Sequence, residues 1–312
     1  MNANSTEIFI LSGFLGSGKS TLLRRFLHKE HENGRQIAVL MNELGEKSID
    51  SSVVPASTPL KEMLNGCICC TINGQLSQQL NSLLTEYELD AIYIEATGAA
   101  HPIEIIDACT HPLLAGKVEI KSVLTLVDVK QWKEGRGSIK IKKLMKEQVR
   151  YADMVLLNKI DKVEPEEWAA VRQDIQGLNP KATIVPSYYS NVDVSLMFSK
   201  EKHTEKKKVS NTLNRDSHIE NLHLHSVTLS LPHPIRRECL SDCVNSMEGC
   251  LFRLKGFVKL MESPEIFLLN YSYGELLFEP YVDEREVKPV LVFIGENLNP
   301  QQIKEKINGS YV

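Results

Sequence analysis

The segment GFLGSGKST, residues 13–21, limits the fold of this chain more than any other feature. It fits G-x-x-x-x-G-K-S, with Gly13, Gly16, Ser17, Gly18, Lys19, Ser20 and Thr21 forming the loop and the head of the next element. An apolar run, Ile8 to Leu11, precedes it, and Leu22, Leu23, Phe26 and Leu27 come after it at helical spacing. The order is strand, glycine loop, helix. Glycines let backbone N–H groups curl around phosphates, and the helix directs its positive end at them. Lys19 is expected to reach the outer phosphates and Ser20 to ligate Mg²⁺. At ordinary residue usage such a pattern arises by chance in roughly one chain in a hundred. The plain alternative is a flexible glycine turn with an N-capping serine.

Further apolar runs, in RQIAVLMNE, DAIYIEATG, IKSVLTLVDV, ADMVLLNKID and ATIVPSYY, are spaced to leave room for helices. They are continuous rather than alternating, as expected of strands covered on both faces. The expected fold class is α/β: a P-loop NTPase parallel sheet with helices on both faces, followed by a smaller α+β C-terminal domain. In such sheets ligands sit past the C-terminal strand ends. Glu95 and Gly98 follow the DAIYI run there; a carboxylate can hold the Mg²⁺ shell through water, and a glycine N–H can meet a γ-phosphate. A strand-ending turn reads the same way from sequence. Asn158, Lys159 and Asp161 match N-K-x-D, in which the aspartate accepts two hydrogen bonds from guanine that adenine cannot donate. The plain reading is a charged loop after a strand. PSYYSNVD is expected to form the remaining wall of the base pocket.

The 312 residues are 42% hydrophobic, which predicts two domains of unequal size: 1–190 for nucleotide, a polar linker over 191–225, and 226–312. Net charge −4, with no basic block interleaved with aromatics, argues against nucleic acid as a partner. The apolar runs are too short for a bilayer and the start lacks a cationic, apolar leader, so a soluble cytoplasmic protein with no membrane partner is expected. Seven cysteines there make a disulfide framework improbable. Three of them, Cys67, Cys69 and Cys70, crowd into NGCICCTING, which, flanked by Gly66 and by Asn73 and Gly74, reads as a loop rather than a core strand. Glu43, Glu46 and Asp50 lie upstream in MNELGEKSID. Thiolates with a carboxylate such as Glu43 suit Zn²⁺, or Co²⁺, which the donor set does not distinguish. The cluster differs from C-x-x-C knuckles and would leave a coordination position open, as a metal in transit needs. Buried apolar filler and a redox pair are the competing readings.

GFLGSGKSTLL, NELGE, GCICC, IEATG and NKID stand in the order found in CobW-type GTPases, and the chain resembles that group, which includes HypB-like and UreG-like proteins of the SIMIBI class. The resemblance implies slow GTP hydrolysis to GDP and phosphate, coupled to loading or releasing Zn²⁺, Co²⁺ or a similar ion for a client metalloprotein. It implies phosphate and Mg²⁺ contacts at Lys19 and Ser20, guanine contacts at Asn158 and Asp161, and metal ligands at Cys67, Cys69 and Cys70. Glu46 or Asp50 would help position water, with Lys19 and Glu95 completing the catalytic set. A homodimer is one way to complete the metal shell. Leu44 stands where a phenylalanine is usual.

The stretch from 191 to 226 is rich in Lys, Ser, Asn and Glu and reads as linker or exposed hairpin. His203, His218, His223 and His225 could scavenge metal there, although His223 and His225 alternate with leucines as on the polar face of a strand. His101 could face the nucleotide or only shape a turn before Pro102. After 226 a helix is expected near Pro234, burying Ile235, Cys239, Leu240, Cys243 and Met247, then meander strands, a last strand, and a helix capped by Asn299 with Pro300 in its first turn. Two other functions fit parts of the pattern. A small-metabolite kinase accounts for Lys19 and Ser20 but has no need of N-K-x-D, and a non-enzymatic zinc sensor or store accounts for the cysteines with nucleotide as a structural element.

Overall fold

Ile8, Phe9, Ile10 and Leu11 form the middle of strand β1 (Thr6–Ser12) and are buried on both faces, as their uninterrupted apolar run requires. The computed structural model describes residues 5–41, 60–62, 72–135, 137–193, 225–247, 251–272, 274–282, 287–295 and 298–308. β1 lies at the centre of a seven-stranded sheet with β2 (Ile37–Met41), β3 (Leu60–Glu62), β4 (Ala91–Glu95), β5 (Val118–Asp128), β6 (Met154–Asn158) and β7 (Thr183–Pro186), ordered β3-β2-β4-β1-β5-β6-β7. Every pairing is parallel.

Alternate residues of β1 pack in opposite directions. Ile8 and Ile10 meet Leu76, Leu80 and Leu83 of α2 (Ile72–Glu86) and Ile105 and Ile106 of α3 (Pro102–Cys109). Phe9 and Leu11 meet Leu22, Leu23, Phe26 and Leu27 of α1 (Lys19–Glu32). Beyond β5, Val155 and Leu157 pack with Val129 of α4 (Val129–Glu134), Val149 of α5 (Ile139–Arg150), and Val171 and Ile175 of α6 (Pro165–Leu178). The expected two-faced α/β sheet is present, and each such side chain contributes about 1.5–3 kcal/mol on burial.

Between α1 and the sheet lies a buried polar network. The Tyr93 hydroxyl donates to Glu30 Oε1 at 2.6 Å, and Arg35 Nη1 donates to the same oxygen at 3.0 Å. Both Tyr93 and Glu30 are fully buried, and burial together with the Glu30 charge pushes the Tyr93 phenol well above its ordinary range. Removing the hydroxyl while keeping the ring takes one of two donors from a buried, charged acceptor. Tyr93→Phe is therefore expected to cost about 1–3 kcal/mol in urea unfolding, and a cost near zero would show the bond to be dispensable.

Two features differ from the expectations. β3, a three-residue edge strand parallel to β2, interrupts what reads in sequence as one connection, because so short a segment carries no periodic signal. Asn73 and Gly74, expected in a loop, begin α2 instead. First-turn N–H groups have no intrahelical partner to lose, so these residues are tolerated there more readily than in a helix interior.

The second sheet is antiparallel and ordered β11-β10-β9-β12-β8, from β8 (His225–Ser230), β9 (Leu251–Lys259), β10 (Ile266–Ser272), β11 (Glu275–Pro280) and β12 (Val290–Gly295). Leu254, Val258, Leu269, Leu291 and Phe293 pack under α7 (Arg237–Asn245) and α8 (Pro300–Asn308). α7 starts three residues later than Pro234, since the Ile235 backbone bonds to Lys259 and Met261 across an isolated bridge. Asn299 Oδ1 accepts from the Gln301 and Gln302 N–H groups at 3.0 and 3.1 Å, the expected cap of α8. His225 opens β8; His203, His218 and His223 lie outside the described residues.

The opposite face of this sheet meets the first. Asp107 of α3 is fully buried, and its Oδ2 accepts from Lys255 Nζ at 2.7 Å and from Arg253 Nη2 at 3.2 Å. His111 is edge-on to Phe257, and Ile294 of β12 joins the cluster around α2 and α3. Among the described residues, no helix is long and apolar enough to cross a membrane.

Candidate functional site

The strand register brings the expected site residues to one edge. Leu11 of β1 pairs with Glu95 of β4, and Asp128 of β5 pairs with Asn158 of β6. The loop from Gly13 to Gly18 lies between these ends and leads into α1. Gly18 has φ 110°, and a Cβ there would stand 2.5 Å from Asn158 Nδ2, so the position requires glycine on both counts.

Lys19 is nearly buried, and its Nζ donates to the Gly13 carbonyl at 2.8 Å and to the Phe14 carbonyl at 3.4 Å. An ammonium bound to its own loop's carbonyls is positioned to exchange them for phosphate oxygens. Ser12 Oγ and Ser17 Oγ are buried with no hydrogen-bond partner among the described residues. Unpaired hydroxyls of this kind, beside a helix start whose N–H groups are available, match the chemistry of a phosphate cradle. Ser20 Oγ donates to Glu95 Oε1 at 2.7 Å. This hydroxyl and carboxylate, side by side at the mouth of the loop, form a hard oxygen set that fits Mg²⁺.

The base side is organised by Asn158. Its Nδ2 donates to the Ser17 carbonyl at 2.8 Å and to Ser190 Oγ at 3.1 Å; its Oδ1 accepts from Ser187 Oγ and from the Ser190 N–H, each at 3.0 Å. The carboxamide is thus fully engaged with protein, tying the phosphate loop to the segment after β7, rather than turned toward a ligand. Lys159 adopts φ 61° and its Nζ donates to Asp128 Oδ2 at 2.6 Å, while Asp128 Oδ1 caps α4. Asp161 is solvent-exposed in the 3-10 turn Ile160–Lys162. Tyr188 and Tyr189 present exposed rings in the segment after β7, and Arg25 of α1 holds this segment through the Tyr189 carbonyl and Asn191 Oδ1.

Sequence reasoning missed Asp128 and Arg25, and it singled out the segment PSYYSNVD without assigning the contacts of Ser187 and Ser190 within it. An acidic residue at a strand's end was the only available signal for Asp128; the serines and Arg25 carry none, because their partners are remote in the chain. His101 occupies the position before the first turn of α3 without a side-chain capping bond, its ring 5.7 Å from that of Tyr151. Glu43, Glu46, Asp50, Cys67, Cys69 and Cys70 lie outside the described residues. Among the described residues, no cluster of three His, Cys, Asp or Glu could hold a metal ion. Burial raises the thiol pKa of Cys109 and Cys243, which suits core cysteines and not metal-binding thiolates; Cys239 is half-buried.

The family model of the CobW/HypB/UreG nucleotide-binding domain matches residues 7–186, and that of the cobalamin synthesis protein cobW C-terminal domain matches 224–310. The zinc chaperone YjiA of Escherichia coli is 29% identical over 98% of this chain and 99% of its own length. The zinc-regulated GTPase metalloprotein activator 1 of Dictyostelium discoideum is 28% identical over 96% of this chain and 78% of its own. The solved structure of the Zn(II)-bound YjiA GTPase superposes with TM-score 0.50 at 25% identity, covering 99% of each chain. A Zn(II)-bound YjiA variant with one glutamate and two cysteines replaced by alanine gives 0.51.

Proposed function

Because this chain belongs to the CobW/HypB/UreG family, whose nucleotide-binding model matches more than half of it, we propose that it is a GTP-hydrolysing metallochaperone. It binds Zn²⁺ or a similar ion at the C-x-C-C loop and passes it to a client metalloprotein under nucleotide control. The observation that carries the coupling is the packing of α2 on α3. α2 begins at Ile72, two residues after Cys70, and α3 begins at Pro102, four after Gly98. Ser77 Oγ of α2 donates to the Ala108 carbonyl of α3 at 3.1 Å, and both residues are buried. A shift of the segment around Gly98 is therefore transmitted to the helix that leads out of the cysteine loop.

In this reading the loop N–H groups and Lys19 bind the phosphates of GTP, and Asp161 receives the guanine edge. Asn158 and Lys159 hold the walls of the base site rather than reading the base. Ser20 and Glu95 would hold Mg²⁺, directly or through water, and the ion would neutralise charge on the phosphate oxygens. Glu46 or Asp50 positions the attacking water, and Gly98 N–H meets the γ-phosphate. Cys67, Cys69 and Cys70, with Glu43 or a group from the client or a second copy, bind the transported ion. The names of the relatives support zinc as that ion.

The test is a competitive Zn²⁺ titration with Mg²⁺ and either a non-hydrolysable GTP analogue or GDP, repeated with the three cysteines changed to serine. Total zinc content is a poor readout, since the relative's variant is Zn(II)-bound without two of its cysteines. The expected result is a high-affinity site that depends on the cysteines and differs at least about tenfold between nucleotides, a coupling of about 1.4 kcal/mol. Equal affinity in both states would remove nucleotide control, and cysteine-independent affinity would remove the loop as the site.

A further inference from the structure

Gln148 lies on α5, on the face that also buries Met145 and Val149, and only 1% of it is exposed. A polar side chain on that apolar face must find partners. Its Nε2 donates to two backbone carbonyls of one turn, Gly98 and Ala100, each at 3.2 Å. The backbone carbonyl of Gln148 accepts from Thr125 Oγ1 of β5 at 2.8 Å, fixing the last part of α5 to the central sheet.

The turn it holds is the segment after Glu95. The Ala96 N–H donates to the Leu11 carbonyl at 2.9 Å, and the Ala100 N–H donates to the Thr97 carbonyl at 3.0 Å. Gly98 is pressed on the phosphate loop: a Cβ there would stand 2.5 Å from Leu15 N. Gly98 is therefore held between Leu15 on one side and Gln148 on the other. Its N–H forms no hydrogen bond among the described residues. The Gly98 N–H shares its peptide plane with the Thr97 carbonyl, which accepts from the Ala100 N–H, so Gln148, by holding the Gly98 and Ala100 carbonyls, braces the turn that orients that N–H.

We propose that Gln148 is the positioning residue of the phosphate-sensing turn, presenting the Gly98 N–H so that the protein distinguishes GTP from GDP. The proposal rests on the reading of Gly98 as the γ-phosphate contact. In this role Gln148 acts through the turn, by its bonds to Gly98 and Ala100. A purely structural glutamine would stabilise the fold and leave the GTP-to-GDP affinity ratio unchanged.

The test uses the full chain with Mg²⁺. Affinities for a fluorescent non-hydrolysable GTP analogue and for GDP are compared in wild type and Gln148→Met, which keeps the volume and loses the donor. Hydrogen exchange of residues 96–101 and 146–152 is followed in both nucleotide states. The expected result is analogue-specific protection of both segments in wild type. In the variant that protection is lost and analogue affinity falls roughly tenfold relative to GDP. If wild type shows the protection and Gln148→Met keeps the wild-type ratio, Gln148 only packs and the proposal is overturned. If wild type shows no analogue-specific protection of 96–101, the reading of Gly98 fails and takes the proposal with it. Should the variant not fold, wild type alone decides: protection of 96–101 without 146–152 overturns the clamp.

Discussion

Asp161→Ala is expected to weaken GTP binding by about 10²–10⁴-fold while leaving ATP binding unchanged, so that the preference for GTP collapses by the same factor. The carboxylate would accept from the guanine ring N–H and amino group, and hydrogen bonds to a charged acceptor contribute about 1.5–3 kcal/mol each. Asp161 is exposed and its side chain makes no bond that holds the fold among the described residues, so the variant should keep wild-type stability. Adenine presents no such pair of donors, and ATP serves as the internal control. A loss shared equally by GTP and ATP would mean that Asp161 supports the loop rather than reading the base, and guanine specificity would then have to lie elsewhere in the wall after β7.

Asp107→Ala is expected to cost about 3–5 kcal/mol in stability, the scale for breaking a buried ion pair and leaving the partner charge behind. Asp107 is fully buried, and Lys255 is 9% exposed, with burial holding its ammonium pKa below the ordinary lysine range. The cost should fall in large part when Lys255→Met accompanies the change, because the stranded charge is then removed. Urea unfolding of the two single variants and the double variant measures this directly. Strict additivity would show that the two side chains do not interact in solution. The pair joins α3, whose first residue is four beyond Gly98, to the second sheet, so its loss should also weaken the connection between that sheet and the nucleotide site.

The legible parts of the fold are those written in contiguous residues. Ile8 to Leu11 reads as a strand covered on both faces because no polar residue interrupts it, and it is buried on both faces in the structure. Asn299 and Pro300 announce a helix start through local hydrogen bonding and a fixed φ, and the helix starts there. β3 was not legible because three residues pair only where β2 offers an edge. Nor was the start of α7, where Ile235 bonds to β9 instead of entering the helix. For the site, the order P-loop, Glu95, Gly98, N-K-x-D was readable, yet the work of Asn158 was not. Its motif names the residue, but its four bonds to Ser17, Ser187 and Ser190, which tie the phosphate loop to the segment after β7, join partners remote in the chain.

By itself the sequence determined the phosphate loop, the α/β class and the family resemblance, since glycine spacing, apolar runs and short motifs encode their geometry over a few neighbouring residues. Only the tertiary structure decided what supports them. Gln148 reaches Gly98 across 50 positions, and Lys255 reaches Asp107 across 148. Side chains that far apart in the chain carry no mutual signal in one sequence; they become partners only when the core has packed and each buried polar group must be paired.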